Sequence, residues 1–133
     1  MSKTAVDFNK FKLADTGLLK IKDAKGSVIL IDGKPLTFEF YSPAHSKFVY
    51  AKFKLDNANN ARNIAMFQNK ADEGTAEQQA KDEAQFLAAI TKSLGDWNEF
   101  PDGALGLFSD AGFVYIKSDV LKYIGAYENF TQS

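Results

Sequence analysis

Three short apolar runs, separated by two linkers that each contain Asp and Gly, constrain the first third of this chain more tightly than any other feature. The runs are Leu18-Leu19-Lys20-Ile21-Lys22, Ser27-Val28-Ile29-Leu30-Ile31 and Leu36-Thr37-Phe38-Glu39-Phe40-Tyr41. The linkers are Asp23-Ala24-Lys25-Gly26 and Asp32-Gly33-Lys34-Pro35. Gly supplies positive φ, and Asp bonds nearby backbone amides, which is the chemistry of tight hairpin turns. The pattern predicts a three-stranded antiparallel β-meander over about 18–41.

Alternation then assigns faces. Leu19 and Ile21 oppose Lys20 and Lys22, and Phe38 and Phe40 oppose Thr37 and Glu39, so each outer strand has one wet face. The middle run is apolar on both sides, so either Val28 and Leu30 or Ile29 and Ile31 must face away from the rest of the core. Two covers are open for that face. One is the segment 1–16, expected to be a flexible arm, through Phe8 and Phe11; the other is a further protein chain, including a second copy.

From residue 42 the period becomes helical. Ser42-Pro43 has the chemistry of a helix start, with a helix from about Pro43. Val49, Phe53, Ile64 and Phe67 fall on one side of a continuous helix, a stripe interrupted by Asn57 and Asn60 within the cluster Asn57, Asn59, Asn60 and Asn63; a break near Asn57 is open. Residues 70–74 form a loop, and Thr75-Ala76-Glu77-Gln78 has capping-box spacing. A second helix then carries the seam Ala80, Ala84, Leu87, Thr91 and Leu94 and ends near Trp97. A last helix is expected from Ser118, with Val120, Leu121, Ile124 and Tyr127 on its buried side. The expected fold class is α+β: one domain over 1–133, with the meander at 17–41 and a helical part at 42–133 containing three or more helices.

The composition removes most chemistry. With no Cys there is no thiolate nucleophile, disulfide or sulfur-ligated zinc, and a single histidine, His45, cannot build a triad or an imidazole metal cluster. Neither phosphate-cradling glycine motif nor a calcium-loop spacing occurs, and Gly103-Ala104-Leu105-Gly106 is only a weak glycine pair. No enzyme activity, cofactor or metal is therefore expected. The sequon Asn129-Phe130-Thr131 carries little weight, because the N-terminus lacks a secretion signal and no run approaches a membrane span, so a cytoplasmic location is expected. Residues 1–55 hold ten Lys against five acids, while residues 56–133 hold twelve acids against six bases, a dipolar distribution that can guide head-to-tail association or a partner of mixed charge and that solvated helix and strand faces also produce. Nucleic acid is not expected, since the Lys-rich front has no Arg and its Phe residues are needed to build the sheet.

The order of the pieces carries a further signal. A Gly-turn meander ending in Asp-Gly-Lys-Pro-Leu-Thr-Phe leads into Ser-Pro-Ala-His-Ser-Lys-Phe and then Phe86-Leu87-Ala88-Ala89-Ile90-Thr91-Lys92-Ser93-Leu94. After these come Asp96-Trp97-Asn98-Glu99-Phe100, Asp110-Ala111-Gly112-Phe113-Val114-Tyr115-Ile116 and Glu128-Asn129-Phe130-Thr131. Over about residues 17–133 this order resembles the tail assembly chaperones of long-tailed, siphovirus-like bacteriophages and prophages. The resemblance implies a protein of the host cytoplasm that binds the tape measure protein and the major tail (tube) protein during tail morphogenesis and then leaves the finished tail. A structural minor tail protein, or a tube-associated one retained in the virion, is the alternative.

Large aromatic side chains beside irregular backbone are the candidate gripping residues: Trp97, Phe100, Tyr115, Tyr127 and Phe130. Core packing is the competing role for each. Val28, Ile29, Leu30 and Ile31 are the candidate oligomer or arm-covered face.

Overall fold

The core is built on the strand Thr37–Tyr41, whose Phe38 and Phe40 are fully buried. In the computed structural model, which describes residues 7–68 and 73–132, this strand is β4 in chain order. It follows β1 (Thr16–Lys20), β2 (Leu30–Ile31) and β3 (Lys34–Pro35). Helix α1 spans Ser46–Phe67 and α2 spans Glu73–Ile90, and a short strand β5 (Thr91–Ser93) continues directly from α2. Two further helices follow, α3 (Gly103–Ser109) and α4 (Val114–Ile124). The fold is α+β, with two small antiparallel sheets and four helices among the described residues.

The three-stranded sheet is not the expected meander. Its order is β1-β4-β5, so the first and third apolar runs pair directly, in the register Thr16↔Tyr41 to Lys20↔Thr37. The third strand comes from beyond α2, with Glu39↔Ser93 and Phe40↔Thr91 flanking a bulge. The middle run instead makes the two-residue ribbon β2–β3 and one bridge, Lys22↔Val28. Three backbone bonds close a small ring at this junction: Ile21 N–H to Leu36 C=O at 2.8 Å, Leu36 N–H to Ile29 C=O at 2.8 Å, and Ile29 N–H to Ile21 C=O at 2.9 Å. Both turns are nevertheless of the expected kind. Gly26 has φ +89°, and Asp32 and Gly33 have φ 53° and 80°, the left-handed pair of a two-residue hairpin. The Asp23 carboxylate accepts from the Lys25 and Ser27 amides.

Helix boundaries differ where side chains compete for the cap. Ser42 is buried and its Oγ accepts from the Ala44 amide, so it holds a turn ahead of the helix. His45 is the N-cap of α1, its Nδ1 accepting from the Lys47 amide at 3.1 Å, with its ring 4.4 Å from that of Tyr41. At the other end of α2 the seam residue Thr91 has left the helix for β5, although its hydroxyl still donates to the Leu87 carbonyl. The last helix starts at Val114, four residues before Ser118, and Tyr127 lies beyond it in a short 3-10 turn. Within 70–74, residues 70–72 lie outside the described residues, while Glu73 already belongs to α2.

The expected arm is tied down at its inner end. Leu13 bridges Thr131, the Ala14 amide donates to Phe130 C=O, and the Ser42 amide donates to Asp15 C=O. Residues 1–6 lie outside the described residues. Phe8 and Phe11 sit on a 3-10 turn and are exposed, so they do not cover the middle run.

Candidate protein-docking face

α1 carries two apolar faces. One points inward: Phe48 and Ala51 are buried and Leu55 is half-buried against α2, with the Phe48 and Phe86 rings edge to face at 5.5 Å. About two turns beyond Leu55, the Arg62 guanidinium pairs with the Asp82 carboxylate of α2 and also donates to the Asn59 side chain. That anchor explains why the Asn cluster does not break the helix. Asn is a poor helix former by several tenths of a kcal/mol, but contacts to a neighbouring helix override propensity, and α1 runs unbroken through 57–63.

The other face points into solvent. Val49, Phe53, Ile64 and Phe67 are 56%, 61%, 59% and 90% exposed. At about 100° per residue they fall within roughly 60° of arc, opposite the Ala51, Leu55, Ala58 and Arg62 side. Asn57 and Asn60, both exposed, sit in the middle of this stripe. Tyr50 borders it, also exposed, with the Lys54 ammonium 5.7 Å from its ring centre. The face thus carries two exposed apolar pairs, Val49 with Phe53 and Ile64 with Phe67, separated by about three turns on which Asp56, Asn57 and Asn60 are exposed; scattered exposed apolar residues are ordinary, whereas grouped ones are candidates for an interaction surface.

The sequence-predicted aromatic residues divide. Trp97, Phe100 and Tyr115 are half-buried and joined through Phe113, a residue that sequence reasoning did not single out. Ring centres step 6.2 Å from Phe38 to Trp97, 6.1 Å from Trp97 to Phe100, 5.6 Å from Phe100 to Phe113 and 6.3 Å from Phe113 to Tyr115. This ladder closes one end of the core and keeps only its edges in solvent. Phe130 is a core residue, 1% exposed and 5.4 Å from the Tyr123 ring, so it is not available for gripping. Tyr127 is exposed.

The middle run also divides. Ile29 and Ile31 pack on the core, whereas Leu30 is exposed and Val28 half-buried, so Val28 and Leu30 are the pair that turns away. Leu18 on β1 is exposed as well.

His45 is engaged in capping, and among the described residues no three His, Asp or Glu side chains converge as metal ligands. Burial pushes the Tyr123 phenol above its ordinary pKa, and its hydroxyl donates to the Asn129 carbonyl at 3.2 Å, a packing role. A groove of about 280 Å³ between α1 and α2 includes Tyr50, Lys54, Asp82 and Gln85 in its lining. Among the described residues no helix is long and apolar enough to cross a membrane. No family model matches the chain, and no curated protein or solved structure does.

Proposed function

We propose that this chain is a non-catalytic assembly factor: a phage tail assembly chaperone that holds the tape measure protein and tail tube subunits in the host cytoplasm during tail morphogenesis. The observation that carries the reading is the solvent-facing row Val49, Phe53, Ile64 and Phe67 on a helix whose other side is already packed. A 22-residue helix offers about 33 Å of docking length. A helical client with an apolar stripe can lie along it, as amphipathic helices lie in apolar grooves. The order of motifs over residues 17–133, which resembles that family, supplies the identity of the client.

Release fits the same face. Asn57 and Asn60 interrupt the row, so a bound helix meets polar groups midway, which limits affinity compared with an unbroken apolar seam.

Co-expression with a tape measure protein tests the reading. The wild-type chain is expected to raise the client's soluble fraction and to co-purify with it, and the Phe53→Asp/Phe67→Asp variant to do neither while melting cooperatively. No rescue by the wild-type chain sinks the chaperone reading, and equal rescue by the variant removes α1 from it. Purified tails are expected to lack the chain; finding it there favours a retained minor tail protein.

A further inference from the structure

We propose that the free protein closes the outer face of α1 with a second copy of itself, α1 against α1 in antiparallel order about a twofold axis near residue 58. The stripe reads nearly the same in both directions. Val49 and Phe67 each lie nine residues from position 58, Phe53 and Ile64 lie five and six residues from it, and Asn57 and Asn60 flank it. One antiparallel register therefore sets Val49 against Phe67, Phe53 against Ile64 and Asn57 against Asn60, each contact made twice, as an isologous interface requires. The amides of Asn57 and Asn60 can bond each other across the axis, and a polar pair inside an apolar seam fixes register at a cost in stability.

The area suffices. At ordinary side-chain areas the four apolar residues expose about 550 Å² per copy, and Tyr50 brings this to roughly 700 Å². A standard interface takes about 800 Å² per partner, and the flanking Lys stems supply the remainder. Lys52 beside the seam is already paired with Asp56, so the order is set by the backbone: a parallel pair would align the helix dipoles, whereas the antiparallel pair opposes them.

The pairing shares its face with the proposed client, so a tape measure helix has to displace the second copy. The two claims fail separately. A wild-type chain that is monomeric and still binds the client overturns the pairing alone, and a dimer that binds no client overturns the chaperone reading alone.

Sedimentation velocity over about 1 to 100 µM, which brackets dissociation constants in the micromolar range, is the direct test. A concentration-dependent dimer is expected for the wild-type chain, and a monomer for Phe53→Asp/Phe67→Asp with unchanged circular dichroism. A wild-type monomer throughout, or a variant that still dimerises, overturns the proposal. Because the chain has no Cys, single Val49→Cys and Phe67→Cys variants then report the order. Oxidation should cross-link the mixture of the two and neither alone, since like positions stand about 27 Å apart in the antiparallel pair. Cross-linking of Val49→Cys with itself overturns the antiparallel order.

Discussion

Replacing Phe48 and Phe53 by Ala, one at a time, separates the two faces of α1, because the residues are five positions apart in one helix and differ chiefly in direction. Phe48 is 8% exposed and meets the edge of the Phe86 ring. Its truncation loses the transfer free energy of the ring, leaves a cavity and removes an aromatic pair, for an expected cost of about 3–4 kcal/mol. Phe53 is 61% exposed, so only about 80 Å² of its side chain is covered, an upper bound of about 2 kcal/mol at 25 cal/mol per Å². Part of that cover is its own helix, and Ala returns about 0.5 kcal/mol in helix propensity. The expected net cost is about 1 kcal/mol or less. Urea unfolding at low protein concentration, followed by the fluorescence of Trp97 against Phe38 and Phe100, measures both on one scale. A cost for Phe53→Ala as large as that for Phe48→Ala would mean that α1 is rotated about its axis and that Phe53 does not face solvent.

Three further outcomes follow from packing. Gly17→Ala should destabilise by about 1–3 kcal/mol, since a Cβ there would come within 2.8 Å of the Phe130 ring and 2.9 Å of the Asn129 carbonyl; an unchanged melting temperature would contradict the seating of the C-terminus on β1. Arg62→Ala should cost about 3 kcal/mol because it leaves the Asp82 carboxylate poorly solvated at the α1–α2 contact, and Arg62→Ala/Asp82→Ala should recover part of that loss in a double-mutant cycle. Because the folded-state pKa of Tyr123 is raised above its ordinary value of 10.0, its contribution is fully present below about pH 10 and is lost as pH rises through the folded value. Melting curves from pH 8 to about 11 should therefore fall more steeply for the wild-type chain than for Tyr123→Phe, and parallel curves would refute the assignment.

Local chemistry was legible in the sequence wherever it decides the backbone alone. The turns at Gly26 and Asp32-Gly33 form as expected because their residues tolerate left-handed φ, and the inward faces of Phe38 and Phe40 follow from alternation. The strand order was not legible. β5 is Thr91-Lys92-Ser93, a polar tripeptide continuing a helical seam, and only its contact with Glu39 and Phe40 across half the chain makes it a strand. With β4 thus placed centrally, the middle run is left with a short ribbon, and Pro35 in that ribbon has no amide to donate.

The site was half legible. The stripe Val49, Phe53, Ile64 and Phe67 is visible as a period, but not its direction, because α1 has a second, less hydrophobic face of Ala51, Leu55 and Ala58 whose small residues let α2 approach closely. The signal that could have shown the direction is Asn57 and Asn60: polar residues inside an apolar stripe mark the side that meets water. Of the large aromatics near irregular backbone, Phe130 is in the core and Trp97, Phe100 and Tyr115 pack against it in part, the competing role, while Tyr127 is exposed.

Hydrogen exchange of the chain with and without a tape measure segment that it solubilises locates the surface on which the client lies. Added protection is expected within residues 49–67, concentrated around Phe53, Ile64 and Phe67 on the outer face of α1, with none at 95–116. Protection confined to the aromatic ladder from Trp97 to Tyr115, with α1 unchanged, would contradict docking on α1.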